Sequence, residues 1–222
     1  FSNPGAPIGG VGVRQPNPPP SGRIQGAGLR WTREARLAQA RLLLRLEQPD
    51  EAATVLDQIE GDLDIGAAVG LLSARILAAQ GQNLAAADAY APYIAANGAA
   101  RHRAMLAAAR LQTANGAFES AIREYEAVST DAAASASDVE SALLEGGLLL
   151  EGLSRFAEAS EWYERLGAAS PWVSDDTFAL YRSGVVRLET GDTDGAAAAW
   201  ITLLRDFPWH PMAVEAYDEL LT

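Results

Sequence analysis

Residues 101–128 read RHRAMLAAARLQTANGAFESAIREYEAV, and the fold is decided by how this stretch recurs. Ala, Leu, Glu and Arg dominate it, all strong helix formers, and apolar residues return every three to four positions. The break at Asn115-Gly116 divides it in two, which predicts two short antiparallel helices. A small residue, Ala121, opens the second helix, with Tyr125 four residues on and Val128 three further. Twelve residues before Ala121 lies another small residue, Ala109, in the middle of the first helix. The same four marks recur along the chain. The opening alanines are Ala52, Ala86, Ala121, Ala159 and Ala196, at steps of 34, 35, 38 and 37. The large groups that follow are Leu56, Tyr90, Tyr125, Tyr163 and Trp200, then Ile59, Tyr93, Val128, Leu166 and Leu203. The mid-helix small residues are Ala40, Ala74, Ala109, Gly147 and Gly184. A period of this size is the signature of stacked helix pairs. Small groups let neighbouring helices cross closely, and large ones fill the space between repeats.

Worked outward, the pattern predicts helix pairs at 32–47 with 49–60, 64–80 with 82–96, 99–115 with 117–129, 136–152 with 154–168, and 174–190 with 192–206. A last helix, 211–221, is expected to cap the open end. Pro211 suits its first turn, and Glu215, Asp218 and Glu219 are expected to give it a polar outer face. Residues 1–28 hold six of the eleven prolines among many glycines, which predicts an extended tail ahead of a repeat domain at 29–222.

With these residues in place, the chain from about residue 31 to 222 resembles the tetratricopeptide repeat (TPR) family, built of helix pairs of about 34 residues. The usual first-helix Trp and Tyr are mostly absent. The resemblance implies an all-α, TPR-like solenoid of five antiparallel helix pairs plus a C-terminal capping helix, with an extended N-terminal tail. It also implies non-enzymatic work as a scaffold for protein partners. The segment 180–221, LYRSGVVRLETGDTDGAAAAWITLLRDFPWHPMAVEAYDELL, is similar to repeats of bacterial envelope proteins. These include outer-membrane assembly lipoproteins and the helical N-terminal platform of soluble lytic transglycosylases. The likeness lies in the turn Phe207-Pro208-Trp209-His210-Pro211 before an Ala-containing helix. It implies a place in the bacterial cell envelope, periplasmic or on its outer face. The alternative it implies is the non-catalytic platform of a transglycosylase whose catalytic domain lies elsewhere. The opening FSNPGAPIGG suits the tether behind a lipid-anchored cysteine, so membrane association is expected only through such an anchor or through a complex.

Composition narrows the chemistry. The 222 residues contain no Cys and no Lys, since all 17 basic residues are Arg. That removes thiol nucleophiles, thiolate zinc sites and iron–sulfur clusters. It also removes the Walker A lysine and Schiff-base chemistry. A formal net charge of −12 argues against a nucleic-acid partner. The charge is graded: residues 1–45 sum to +6, 46–116 to −4 and 117–222 to −14. No run reaches the roughly 18–20 apolar residues of a membrane span.

No reacting constellation emerges. Glu119-Ser120 and Glu140-Ser141 lie inside repeat helices without the rest of a transglycosylase signature. Asp175-Asp176 falls at a helix start, where acids favour the helix dipole. His102 sits between Arg101 and Arg103, which repel a metal, and His210 sits in the proline turn. Gly9-Gly10-Val11-Gly12 lacks the strand, helix and lysine of a phosphate loop. No cofactor and no metal are expected.

One repeated feature points to a partner. An arginine follows the small mid-helix residue in three successive repeats, as Arg41, Arg75 and Arg110, at the repeat spacing. Arg45 lies a turn after Arg41, and Arg103 two turns before Arg110. The equivalents in the last two repeats are Leu148 and Val185, with Phe178 and Tyr181 nearby. In the TPR family this position faces the concave groove that holds extended peptides. The resemblance therefore implies a groove basic at one end and apolar at the other, suited to an acidic or extended segment. The same arginines can instead pair with acids of the adjacent helix.

Overall fold

The computed structural model describes residues 21–59, 66–95, 97, 100–170 and 173–221. Among the described residues every regular element is a helix. They are α1 (Ser21–Arg45), α2 (Pro49–Asp57), α3 (Gly66–Ala79), α4 (Asn83–Ala89), α5 (Ala91–Ala95), α6 (Arg101–Ala114), α7 (Phe118–Thr130), α8 (Ala136–Gly152), α9 (Phe156–Ala169), α10 (Val173–Glu189), α11 (Thr193–Asp206) and α12 (Pro211–Leu221). They form five pairs and a closing helix, as the periodicity predicts.

The marks that set the period are the points of closest packing. Ala40, Ala52, Ala74, Ala86, Ala109, Ala121 and Ala159 are fully buried. Across from the mid-helix residues lie the large groups of the second helices: Ala40 with Leu56, Ala74 with Tyr90, and Ala109 with Tyr125 share core clusters. In the last two pairs the partner comes closer still. A Cβ on Gly147 would lie 2.8 Å from the Tyr163 ring, and one on Gly184 would lie 2.2 Å from the Trp200 indole nitrogen. The first helices α1 and α3, α6 and α8, and α10 and α12 touch, whereas the second helices of neighbouring pairs make no comparable contacts with one another.

Each pair closes with the same turn. Three residues join first helix to second throughout: 46–48, 80–82, 115–117, 153–155 and 190–192. The middle residue has positive φ in every case: Glu47 (60°), Gly81 (76°), Gly116 (77°), Ser154 (59°) and Gly191 (80°). The next amide reaches back five residues, as Gln48 to Leu43, Gln82 to Leu77, Ala117 to Gln112, Arg155 to Leu150 and Asp192 to Arg187, at 2.8–3.0 Å. This is the Schellman closure, which satisfies helix-end carbonyls through a left-handed residue. Three turns use glycine, for which that conformation carries no Cβ penalty. Gly116→Ala is expected to cost about 1 kcal/mol and Ser154→Gly to gain up to about 1 kcal/mol. Urea titrations followed by helical circular dichroism check both, and equal midpoints would contradict the turn assignment.

The longer steps of 38 and 37 have a local cause. α3 and α6 are 14 residues long, α8 and α10 are 17. The three extra residues add nearly one turn at the start of each longer helix. α8 also carries a side-chain cap, with Ser135 Oγ accepting from the Asp138 amide at 3.2 Å.

Three expectations are corrected. Residues 21–28, read as tail, belong to α1, while residues 1–20 lie outside the described residues. The last tail proline is Pro20, and beyond it the glycines weaken a helix without forbidding it. The helix expected at 82–96 is divided at Tyr90 into α4 and α5. Pro92 has no N–H for the Asp88 carbonyl and its ring crowds that carbonyl. The chain answers by tightening, with the Tyr90 amide donating to Ala87. Finally, the outer face of α12 is not simply polar: Val214, Tyr217 and Leu221 are 63%, 52% and 68% exposed.

Candidate functional site

The first-helix face carries the arginines of the repeat register. Arg41 and Arg45 on α1, and Arg75 on α3, are exposed. Among the described residues none of the three is in an ion pair. Arg75 lies near enough to Tyr90 for its charge to favour the phenolate, against the burial that raises the Tyr90 pKa.

Arg110 occupies the same register and behaves differently. Its guanidinium grips Glu145 of α8 with two bonds, Nε to Oε2 at 2.8 Å and Nη2 to Oε1 at 2.6 Å. That planar, two-pronged geometry is the strong form of the Arg–carboxylate contact. The Tyr125 hydroxyl donates to the same carboxylate at 3.1 Å. Burial, and then the Glu145 charge, push the Tyr125 hydroxyl up to about 12. Arg110 thus engages the adjacent first helix. Arg103 is 79% exposed and stands 3.9 Å from Asp138, a loose contact.

A related cluster appears further along the stack. Glu151 of α8 accepts from the Tyr163 hydroxyl at 2.7 Å and from Arg182 Nε of α10 at 3.1 Å, and it pairs closely with Arg182 Nη2. Burial raises the Tyr163 hydroxyl far above the usual phenol range and lowers the Arg182 pKa. Glu145, Glu151 and Arg182 were not singled out in the sequence. Their one signal was position, two residues before or four after the mid-helix glycines Gly147 and Gly184.

Leu148 follows the prediction of an apolar, exposed position. It is 44% exposed and lines a cleft of about 460 Å³ with Phe118, Tyr125, Glu145 and Leu149. Phe178, Tyr181 and Val185 do not join that cleft. The Phe178 ring meets Tyr163 edge-on at 6.0 Å, which places it in the packing between pairs four and five. Tyr181 and Val185 pack against the Trp200–Leu203 cluster, and the Tyr181 hydroxyl donates to Glu219 at 3.4 Å. Their half-buried state follows from α12 lying across α10. The exposed apolar residue of this register is therefore Leu148, which shares its cleft with Phe118 at the start of α7.

Several of the polar residues weighed for chemistry have hydrogen-bond or ion-pair partners. Asp131 at the end of α7 accepts from His102 Nε2 at 2.9 Å and Arg101 at 3.2 Å. The His102 contact and the Ala133 amide hold its carboxyl below the usual range. Glu119 pairs with Arg155 at 2.8 Å, and Asp175 accepts from Ser170 at 2.7 Å. His210 Nδ1 accepts from the Met212 amide at 3.3 Å within the proline turn. Among the described residues no group of His, Asp and Glu is gathered as metal ligands, and no helix is long and apolar enough to cross a membrane.

No known protein family matches the sequence, and no curated protein matches it. Solved structures do. The nearly identical TPR-like repeats of a kinesin light chain-like protein from Podosopora anserina superpose with a TM-score of 0.53 at 18% identity, over 78% of this chain and 92% of that one. A tetratricopeptide repeat protein from Parabacteroides merdae superposes with a TM-score of 0.58 at 15% identity, over 86% of this chain and 74% of that one. At such identities the likeness speaks for the fold. It agrees with the paired helices, buried small crossing residues and period of this chain, whose fold is a TPR-like solenoid.

Proposed function

We propose that the chain is a non-enzymatic scaffold whose first-helix groove holds an extended partner segment, acidic at one end and apolar at the other, within a bacterial envelope complex. The observation that carries the reading is the contrast within one register. Arg41, Arg45 and Arg75 are exposed without an ion pair among the described residues, while Arg110 is tied to Glu145. Unengaged positive charge is thereby concentrated toward the N-terminal end of the face. The Phe118–Leu148 cleft supplies an apolar seat further along. A carboxylate meeting such an arginine contributes about 1.5–3 kcal/mol when partly desolvated. The envelope setting is supported by the turn Phe207-Pro208-Trp209-His210-Pro211, the feature shared with envelope repeats.

The test is capture of partners from native bacterial membranes, identification by mass spectrometry, and titration of the captured chain against variants. Arg75→Glu is expected to weaken binding about tenfold or more, with helical content unchanged, and the loss should shrink as salt rises. Arg75→Glu binding as tightly as the parent would reject the groove reading.

A further inference from the structure

The two ends of the solenoid carry faces that match each other. On α12 the exposed side chains Val214, Tyr217 and Leu221 form one stripe, at the three- and four-residue spacing of a helix face. One repeat of 37 residues earlier, the same register holds Thr177, Leu180 and Gly184. Thr177 and Gly184 are fully covered there, and Leu180 packs against the Trp200 cluster. Trp200 of α11 stands over Gly184, and His210 in the turn after α11 meets Thr177. So α12 presents outward a surface that is covered one repeat earlier. Asp218 and Glu215, both exposed, border the stripe.

At the other end, α1 presents Ala35, Ala38 and Leu42 along one exposed face that Leu46 of the closing turn continues, the two leucines being 55% and 60% exposed. Exposed Arg41 and Arg45 border this stripe. Exposed Glu34 lies on the same side, which leaves the net charge there positive, opposite to the acids beside the α12 stripe, and the asymmetry extends through the chain: +6 over residues 1–45 against −14 over 117–222. We propose that the occupant of the α12 face is α1 of a second copy of this chain, so that copies associate head to tail. The contact shares Arg41 and Arg45 with the N-terminal end of the proposed groove, while its apolar stripe is not shared.

Such a contact joins two different surfaces, so it propagates into rings or open chains rather than stopping at a dimer. One helix against one helix is a small interface, so the affinity expected is about 10–100 µM. Opposed charges at its edges make it weaken as salt rises from about 0.05 to about 0.5 M.

Sedimentation of the full chain from about 5 to about 500 µM provides the test. The mass of the parent should climb beyond twice the 23.4 kDa monomer. Leu42→Asp and Tyr217→Asp should each stay monomeric, with circular dichroism unchanged because both positions are exposed. Mixing the two variants should restore a complex that stops at a pair, since one retains a sound tail and the other a sound head. A parent that remains monomeric throughout would overturn the proposal. So would self-association of Leu42→Asp alone, which would mark a tail-to-tail contact, or a mixture that fails to pair. Failure of the groove reading would leave these outcomes unaffected, because none uses a captured partner.

Discussion

Gly184→Ala is expected to lower the stability of the C-terminal repeats by about 2–4 kcal/mol. The added Cβ would lie 2.2 Å from Trp200 Nε1 and 2.4 Å from Cε2, inside any tolerable contact. The indole has nowhere to go. It is 3% exposed, packed with Ala196 and Leu203, and its N–H donates to the Tyr181 carbonyl at 3.2 Å. Overpacking of a filled core costs about 1–3 kcal/mol, and a weakened internal hydrogen bond adds about 0.5–1.5 kcal/mol. Gly152→Ala is the control. A Cβ there meets nothing within 4 Å, so replacing a helical glycine should gain about 0.5–1 kcal/mol. Pairs two and three accommodate alanine opposite tyrosine, as Ala74 with Tyr90 and Ala109 with Tyr125. The double variant Gly184→Ala/Trp200→Tyr should therefore recover much of the loss. Urea unfolding read by circular dichroism measures all of these, and a parental midpoint for Gly184→Ala would refute the close crossing.

Glu151→Ala is the second large effect, at about 2–3 kcal/mol. Its carboxylate serves the Tyr163 hydroxyl and the Arg182 guanidinium together, with side chains 18% and 25% exposed for Glu151 and Arg182. Removing it strands a guanidinium and a buried hydroxyl at once, and stranded partners cost more than the pair contributes. Because the site is only partly dry, the cost stays below that of a fully buried pair. Glu151→Gln keeps an acceptor for the hydroxyl and should fall between parent and alanine variant. Glu158→Ala offers the contrast: its partner Arg155 lies on the surface, 2.6 Å away, and the midpoint should hardly move. Equal losses for Glu151→Ala and Glu158→Ala in thermal melts would remove the special standing of the Glu151 cluster.

The fold was legible because close crossing imposes one demand at one phase. Only Ala or Gly fits opposite Leu56, Tyr90, Tyr125, Tyr163 and Trp200, so the small residues spell out the period in a single chain. The division at Tyr90 was written in Pro92, but a proline four residues past a carbonyl is easily absorbed into a repeat of the right length. The turns at Glu47 and Ser154 were hidden because only three of the five left-handed positions are glycine. Ion partners were harder. Arg110 and Glu145 lie 35 residues apart, in different pairs, and which side chains face each other there depends on how neighbouring pairs are rotated. The same dependence turned Phe178 toward Tyr163 and left Leu148 open. On α12 the acids were read without their phase, and Val214, Tyr217 and Leu221 lie between them.

The uniform closing turn gives the chain a grain. From mid-first-helix residue to second-helix alanine the count is twelve in all five pairs, so every pair is a cassette of fixed gauge. Three extra residues, nearly a turn, stand upstream of the crossing at the start of α8 and of α10. A foreign peptide spliced between Ala132 and Ala134 enters on the tolerant side of that gauge. The same splice at Gly116 would separate two helices whose spacing nothing else in the molecule can reset.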